Sequence, residues 1–261
     1  MTDFSLPQAY FSKIMRAIVE FDLIESGDRI LIGLSGGKDS LLMTYALAMV
    51  RARFRADFSL LALTVDPMFS KDFDAGRLTA FCASLGIPHE TRAVDIASIL
   101  ESDRKDSPCY TCAFFRRGAI DRYAVEHGCN KVAYAHHSDD AVETLLMSLL
   151  CSGQIRAFTP KTYLDRTGLT VIRPLVCLRE REIIDASRYH GVAPVASPCP
   201  LDGKTARQRV KELIASLEAE NPLTYAHLAS ALRENNVGEL WPAAKTRAEM
   251  KETYRRFVRG T

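Results

Sequence analysis

The chain has a single tryptophan, almost no net charge, and no apolar run approaching the roughly 18 residues that a membrane-crossing helix requires. The missing span excludes a membrane helix, and the expectation is no membrane partner. The first residues, MTDFSLPQAYFSKIM, contain an acid and lack a long apolar centre, so no secretory signal is predicted. Thirty-four basic residues against 32 acidic leave a formal charge of +2. That balance excludes a broadly basic nucleic-acid-binding surface; any RNA contact must be local. There is no repeat of fixed period and no Ser/Gly/Pro-rich linker, which excludes solenoids and flexible multidomain chains. What remains is an ordinary globular composition, 47% hydrophobic and 25% charged, over 261 residues. That suits one large α/β domain with a small appendage. Seven cysteines, an odd number without an export signal, point to a reducing, cytoplasmic location.

Apolar residues three and four apart predict an amphipathic helix over 8–24. Buried strands are predicted at Arg29 to Leu34, Phe58 to Val65, His89 to Val94 and Lys131 to His136, with another extended piece at Val171 to Leu175. Helices are predicted between them: Ser40 to Val50, Asp74 to Ser84, Thr111 to His127, Asp139 to Leu150 and Arg179 to His190. From Ala206 onward the pattern is helical throughout. Alternating apolar strands and helices predict a Rossmann-like parallel sheet with helices on both faces, plus an N-terminal helix and a C-terminal helical tail. The division expected is 1–215 for the catalytic domain and 216–261 for the extension. In such sheets ligands sit at the carboxyl ends of the strands, where every motif below falls.

The first motif is Gly33-Leu34-Ser35-Gly36-Gly37-Lys38-Asp39-Ser40, between a buried strand and a helix. Two glycines let backbone N–H groups approach an anion, the helix N-terminus adds partial positive charge and Lys38 a full one. Ser35 and Ser40 offer hydroxyl donors, and Asp39 is a candidate Mg²⁺ ligand. The segment is neither a Walker loop, which needs Ser or Thr directly after Gly-Lys, nor a G-x-G-x-x-G turn. The second motif, Ala135-His136-His137-Ser138-Asp139-Asp140, follows the fourth strand. An aspartate there also serves as a helix cap.

The third is Cys109-Tyr110-Thr111-Cys112, with Cys199 alone in a Pro-Cys-Pro turn. By itself the C-x-x-C reads equally as a redox dithiol, half a zinc site or a pair of cluster ligands. Its place in mid-chain weakens the first reading, and the lack of a second C-x-x-C weakens the second. Cys82, Cys129, Cys151 and Cys177 lie in or beside apolar patterns and read as core residues.

Ser-Gly-Gly-x-Asp-Ser after a first strand resembles the PP-loop of the N-type ATP pyrophosphatases. Together with the central C-x-x-C, the His-His-x-Asp-Asp run and the late Pro-Cys, it resembles the tRNA 2-thiocytidine synthetase (TtcA-like) family, over about residues 10–215. Arg116-Arg117-Gly118, Ile172-Arg173-Pro174-Leu175 and Gln208-Arg209 fit the same pattern. The resemblance implies an adenine nucleotide alpha hydrolase-like fold and an ATP-dependent tRNA sulfurtransferase. It implies ATP on Leu34 to Ser40, adenine held beside Thr64, Val65 and Asp66, and His136 and Asp140 near nucleotide and metal. It assigns catalytic roles to Lys38, Asp39, Arg116 and Asp139, and a 4Fe-4S cluster to Cys109, Cys112 and Cys199. The partners implied are tRNA and a sulfur donor, either a cysteine desulfurase or sulfide. The helical tail offers a surface for a homodimer.

The chain departs from the family pattern in three places. Ala135 replaces the usual glycine. Asp202 stands where relatives often carry a second late cysteine. The terminal cysteine-rich zinc modules of the thiouridine-forming branch are absent from this chain. Basic clusters at Lys204, Arg207, Arg209 and Lys211, and at Lys245, Arg247, Lys251, Arg255, Arg256 and Arg259, are candidate phosphate contacts, with Tyr254 and Phe257 available for stacking. Two other readings stay open here: a PP-loop enzyme with another acceptor, and a metal protein using ATP only as a regulatory ligand.

Overall fold

The structure, a computed structural model, describes residues 4–54, 57–70, 75–102, 108–195, 206–233 and 246–252. The elements run α1 (Gln8–Glu20), β1 (Asp28–Gly33), α2 (Lys38–Phe54), β2 (Phe58–Asp66), α3 (Gly76–Ser84), β3 (His89–Ala93) and α4 (Ile96–Ser102). They continue with α5 (Pro108–Glu126), β4 (Lys131–Ala133), α6 (Ser138–Ser152), β5 (Lys161–Leu164) and β6 (Leu169–Ile172). After them come α7 (Glu180–Ala186) with a short 3-10 turn, α8 (Ala206–Glu220) and α9 (Thr224–Ser230).

The six strands form one sheet in the order β3-β2-β1-β4-β6-β5. All neighbours are parallel except β5, which pairs antiparallel with β6. The Rossmann-like parallel sheet expected from the sequence is present, with one antiparallel strand, β5, added at its edge. Thr162 faces Val171 across a hairpin that turns through Gly168, whose φ is +70°. The fourth strand is also shorter than expected: pairing stops at Ala133, and Tyr134 to His137 lead as loop into α6. The helix expected over 179–190 gives way after Ala186 to a 3-10 turn at Ser187–Tyr189. Helix α4 was not anticipated.

Each face of the sheet carries its own core, as alternation along buried strands requires. Ile30, Ile32, Leu60, Ala62, Ala133 and Ile172 point to one face and meet α1, α2 and α3. Helix α2 is buried continuously from Ser40 to Val50, the sign of a helix covered on every side. Leu31, Leu63, Val65, Val132 and Leu169 point to the other face and meet Ile120, Tyr123 and Ala124 of α5. A third cluster joins Val142 of α6 to Val210, Ile214 and Tyr225 of α8 and α9.

The strand order reverses beside β1, with β2 on one side and β4 on the other, and β1 leads into the phosphate loop. In parallel sheets this is where a crevice opens at the carboxyl ends of the strands. The opposite end of β1 is closed by a buried ion pair, Lys131 Nζ to Asp28 Oδ2 at 2.7 Å. Lys131 also donates to the Leu23 carbonyl, and Asp28 accepts from Asn130 and from the Glu25 N–H, so the buried charges are fully bonded.

Candidate active site

The phosphate loop is held open by its own side chains. Leu34 N–H donates to the Leu63 carbonyl, and Thr64 Oγ1 donates to the Leu34 carbonyl at 2.8 Å, tying the loop to β2. Ser35 Oγ lies 3.1 Å from Ser40 Oγ, which also donates to the Gly37 carbonyl. Gly36 has φ +83°, and a Cβ there would meet Val195 at 3.1 Å. Glycine is needed at Gly36 both for its backbone angle and for the close approach of Val195.

Helix α2 begins at Lys38, directly on the loop. Lys38 Nζ lies 3.2 Å from Asp39 and 3.0 Å from Glu180 Oε1. Burial pushes the Lys38 ammonium down, but Asp39 and Glu180 outweigh it and hold the lysine charged. Glu180 is the converse. Burial pushes its carboxyl up, but hydrogen bonds from Lys211 and Lys38 bring it down to about 2. Lys38 donates to Asp39 Oδ2, while Asp39 Oδ1 is buried and, with Lys38 Nζ 3.2 Å away as an ion-pair partner, accepts no hydrogen bond.

The His-His-x-Asp-Asp run sits at the start of α6. His137 caps the helix, accepting from the Asp140 N–H while Asp140 accepts from the His137 N–H at 3.0 Å, a reciprocal capping box. The His137 ring also spans the crevice, with Nε2 3.9 Å from Asp39 Oδ1 and Nδ1 3.8 Å from Asp139. His137 therefore joins the site, a residue that sequence reasoning left undecided. Both oxygens of Asp139 are taken, by Arg179 Nε at 2.9 Å and by the Glu180 N–H at 2.7 Å. Asp140 pairs with Arg207, which also bonds Glu143 at 3.0 Å. His136 is half-buried, with its Nδ1 shut from water and unpaired. Burial lowers it to about 4, so its imidazole is neutral near pH 7.

Arg179, Glu180, Glu218 and Tyr225 were not legible as site residues. Arg179 pairs with Glu218 and lies over the Tyr225 ring, and Tyr225 donates to Ser138 Oγ at 2.6 Å. Through these bonds α7, α8 and α9 brace the start of α6. The basic cluster after the late cysteine is divided accordingly. Arg207 and Lys211 are engaged with Asp140, Glu143 and Glu180, while Arg209 is exposed.

Cys109 and Cys112 lie in the first turn of α5, which opens with Pro108, a favoured first helical residue. The spacing of three places both on one side of the helix at its exposed end. Cys109 is exposed and Cys112 half-buried. Cys199 lies outside the described residues, as do Lys204, Asp202, Lys245, Arg255, Arg256 and Arg259. Arg116 is half-buried; Arg117 is exposed and donates to the Ala113 carbonyl of its own helix. On β2, Thr64 also meets His89 Nε2 at 2.9 Å, Val65 is in the core, and Asp66 accepts from the Met68 N–H. Among the described residues, no group of three His, Cys, Asp or Glu side chains is placed to hold a metal ion.

A glycine-rich loop between β1 and α2, with its lysine and an unbonded aspartate oxygen at the head of a parallel sheet, defines a PP-loop protein; the PP-loop domain family matches residues 8–217. A tRNA-cytidine(32) 2-sulfurtransferase of Geobacter metallireducens is 40% identical over 83% of this chain and 86% of its own. One of Citrifermentans bemidjiense is 36% identical over 85% and 88%. The chain belongs to the tRNA-cytidine(32) 2-sulfurtransferase family. Among solved structures, the U34-tRNA thiolase NcsA from Methanococcus maripaludis with its [4Fe-4S] cluster shares the fold, with a TM-score of 0.74, 23% identity, and coverage of 88% of this chain and 79% of that one.

Proposed function

We propose that the protein is an ATP-dependent tRNA sulfurtransferase that replaces the C2 oxygen of a tRNA cytidine, position 32 in its relatives, with sulfur. The observation that carries the reading is the phosphate loop with its charged lysine and a buried, unbonded Asp39 oxygen, in a chain 40% identical to such an enzyme.

ATP lies along Leu34 to Ser40, with the N-termini of α2 and α6 directed at its phosphates. Asp39 Oδ1 suits a Mg²⁺ ion, which commonly takes one or two carboxylates and completes its shell with phosphates and water. That ion would neutralise the departing pyrophosphate. The cytidine O2 attacks the α-phosphorus and pyrophosphate leaves with the bridging electron pair. Lys38 and the loop N–H groups stabilise the charge on the phosphoryl oxygens. Asp139, locked by Arg179, holds the start of α6 in place rather than moving a proton. Arg116, one turn beyond Cys112, faces the transferred group.

The adenylated carbon is then open to a hydrosulfide equivalent from a cysteine desulfurase or from sulfide. Addition forms the C–S bond, AMP leaves with the former O2, and the sulfur loses its proton. Cys109 and Cys112 fit a cluster site: two thiols on one side of an exposed helix end. With Cys199 they would hold a 4Fe-4S cluster, whose fourth iron supplies a Lewis-acidic position for sulfur. We place the catalytic unit at 1–215 and treat 216–261 as an extension, with a homodimer through that extension and a cytoplasmic location as parts of the same proposal. Among the described residues no helix is long and apolar enough to cross a membrane.

Anaerobic purification followed by iron and sulfide analysis tests the reading. About four irons per chain, lost in Cys109→Ala, Cys112→Ala and Cys199→Ala, are expected. Stoichiometric zinc would contradict the sulfur-carrying role.

A further inference from the structure

Six buried side-chain polar atoms lack a hydrogen-bond partner among the described residues. Asp39 Oδ1 belongs to the phosphate loop, and His190 Nε2 lies among the rings of Tyr45 and Phe81. The other four are Asp121 Oδ1, Tyr134 Oη, His136 Nδ1 and Arg173 Nε. They come from α5, from the loop after β4 and from the residue after β6, all on the α5 face or at the crevice. A stable fold leaves few such atoms, so four together require a reason.

Contacts place Tyr134, His136, Phe158 and Arg173 at one spot, and Asp121 directly follows Ile120, which meets the same Gly33 position as the Tyr134 ring. A Cβ on Gly33 would meet the Tyr134 ring at 3.1 Å and Ile120 at 3.6 Å, so Tyr134 lies against the last residue of β1, under α5. The Tyr134 and His136 rings are 5.9 Å apart, and His136 and Phe158 are 5.1 Å apart. Arg173 lies 4.9 Å over the Phe158 ring, with Nη1 donating to the Thr159 carbonyl and to Thr162 Oγ1. Burial raises the Tyr134 hydroxyl well above its usual range, with the Asp121 charge adding to the rise and Arg117, Arg173 and Arg116 opposing it. The four residues are only half-buried as wholes, yet these atoms are shut from water. Cys112, Arg116 and Ile120 recur every four residues and share one side of α5. The group therefore lies between the phosphate loop and the cysteine turn.

We propose that Asp121, Tyr134, Arg173 and Phe158 form the pocket for the target pyrimidine, with Asp121 reading the exocyclic amine of cytosine. The assignment rests on the proposed function and adds the residues that choose the base. Asp121 Oδ1 accepts from the cytosine amine, as carboxylates do when they read cytosine. Tyr134 donates to ring N3, and Phe158 offers a face for stacking. Uracil presents a carbonyl where cytosine has its amine, so acceptor would face acceptor at Asp121. Its buried lone pairs would stay unpaired, the arrangement that gives strong discrimination.

The test uses the full-length protein, Mg-ATP and tRNA transcripts with C or U at position 32, reading pyrophosphate release. Wild type is expected to prefer C. Asp121→Asn is expected to lower kcat/KM on C at least tenfold and narrow the C:U preference by a similar factor, because an amide can donate to the uracil carbonyl. Tyr134→Phe is expected to lower kcat/KM on C about tenfold and on U less, because uracil N3 carries a proton and cannot accept from the hydroxyl. ATP affinity by calorimetry should stay within twofold of wild type in both variants, and the melting temperature of Tyr134→Phe should hold or rise, since that change removes a buried unsatisfied atom. Wild-type kcat/KM and C:U preference in both variants would overturn the pocket and leave the proposed function standing. So would a loss of ATP affinity that accounts for the loss of rate. Pyrophosphate release by wild type without RNA, with no response to either transcript, would overturn the proposed function and the pocket together.

Discussion

Glu180, at the start of α7, reaches the phosphate loop, its Oε1 3.0 Å from Lys38 Nζ, although the two residues stand far apart in sequence. The lysine that must meet the nucleotide is thus already held by carboxylates, and a triphosphate competes with them. Glu180→Gln is expected to tighten ATP binding roughly fivefold, the equivalent of about 1 kcal/mol for a partly solvated pair. Calorimetric titration with Mg-ATP checks it; unchanged or weaker binding would contradict competition.

The same residue shapes acid stability. Its folded pKa of about 2 lies below the ordinary glutamate value of 4.5. The ionised pair therefore stabilises the protein fully above about pH 4.5, and that contribution is lost as pH falls towards 2. Melting temperatures across this window should fall less steeply in Glu180→Gln than in wild type.

His136 acts at higher pH. It is held near 4 by burial, whereas the unfolded chain takes up its proton near 6.5. Between those values the unfolded state binds more protons, so stability falls as the solution is acidified from about pH 6.5 to 4. Replacing His136 with Asn should flatten that slope in melting curves, apart from the parallel contributions of His89 and His190, which burial also lowers.

Gly36 combines φ +83° with Val195 at 3.1 Å from any added Cβ. Gly36→Ala should cost about 1–3 kcal/mol by backbone strain, read from denaturant unfolding, and should weaken ATP binding because the loop must shift. An alanine variant as stable as wild type would show that the loop does not need this conformation.

Much of this arrangement was legible in the sequence because it is local. The order of β1, loop and α2 follows from an apolar run, two glycines and a helical pattern; the His-His-x-Asp-Asp run marks the helix start, although the cap falls on His137, with Asp140 closing the box, rather than on Asp139 or Asp140. The antiparallel strand β5 was not legible: KTYL is short and half-exposed and carries no alternation that marks an edge. Strand β4 was read too long because Tyr134 and Ala135 continue its apolar pattern after pairing has stopped. Arg179, Glu180 and Glu218 belong to the site only through long-range ion pairs with Asp139 and Lys38, and charged residues at a helix start otherwise read as a solvated face. Arg207, a candidate phosphate contact in the sequence, pairs with Asp140 and Glu143 in the fold, partners that lie more than 60 residues away and leave no local signal.

The most direct measurement is nucleoside analysis by mass spectrometry of tRNA from cells lacking their own 2-thiocytidine activity and expressing this chain. 2-Thiocytidine is expected with the wild-type protein and absent with Asp39→Asn, whose purified form should keep its melting temperature while losing pyrophosphate release. The absence of 2-thiocytidine with wild type, or its persistence with Asp39→Asn, would contradict the account.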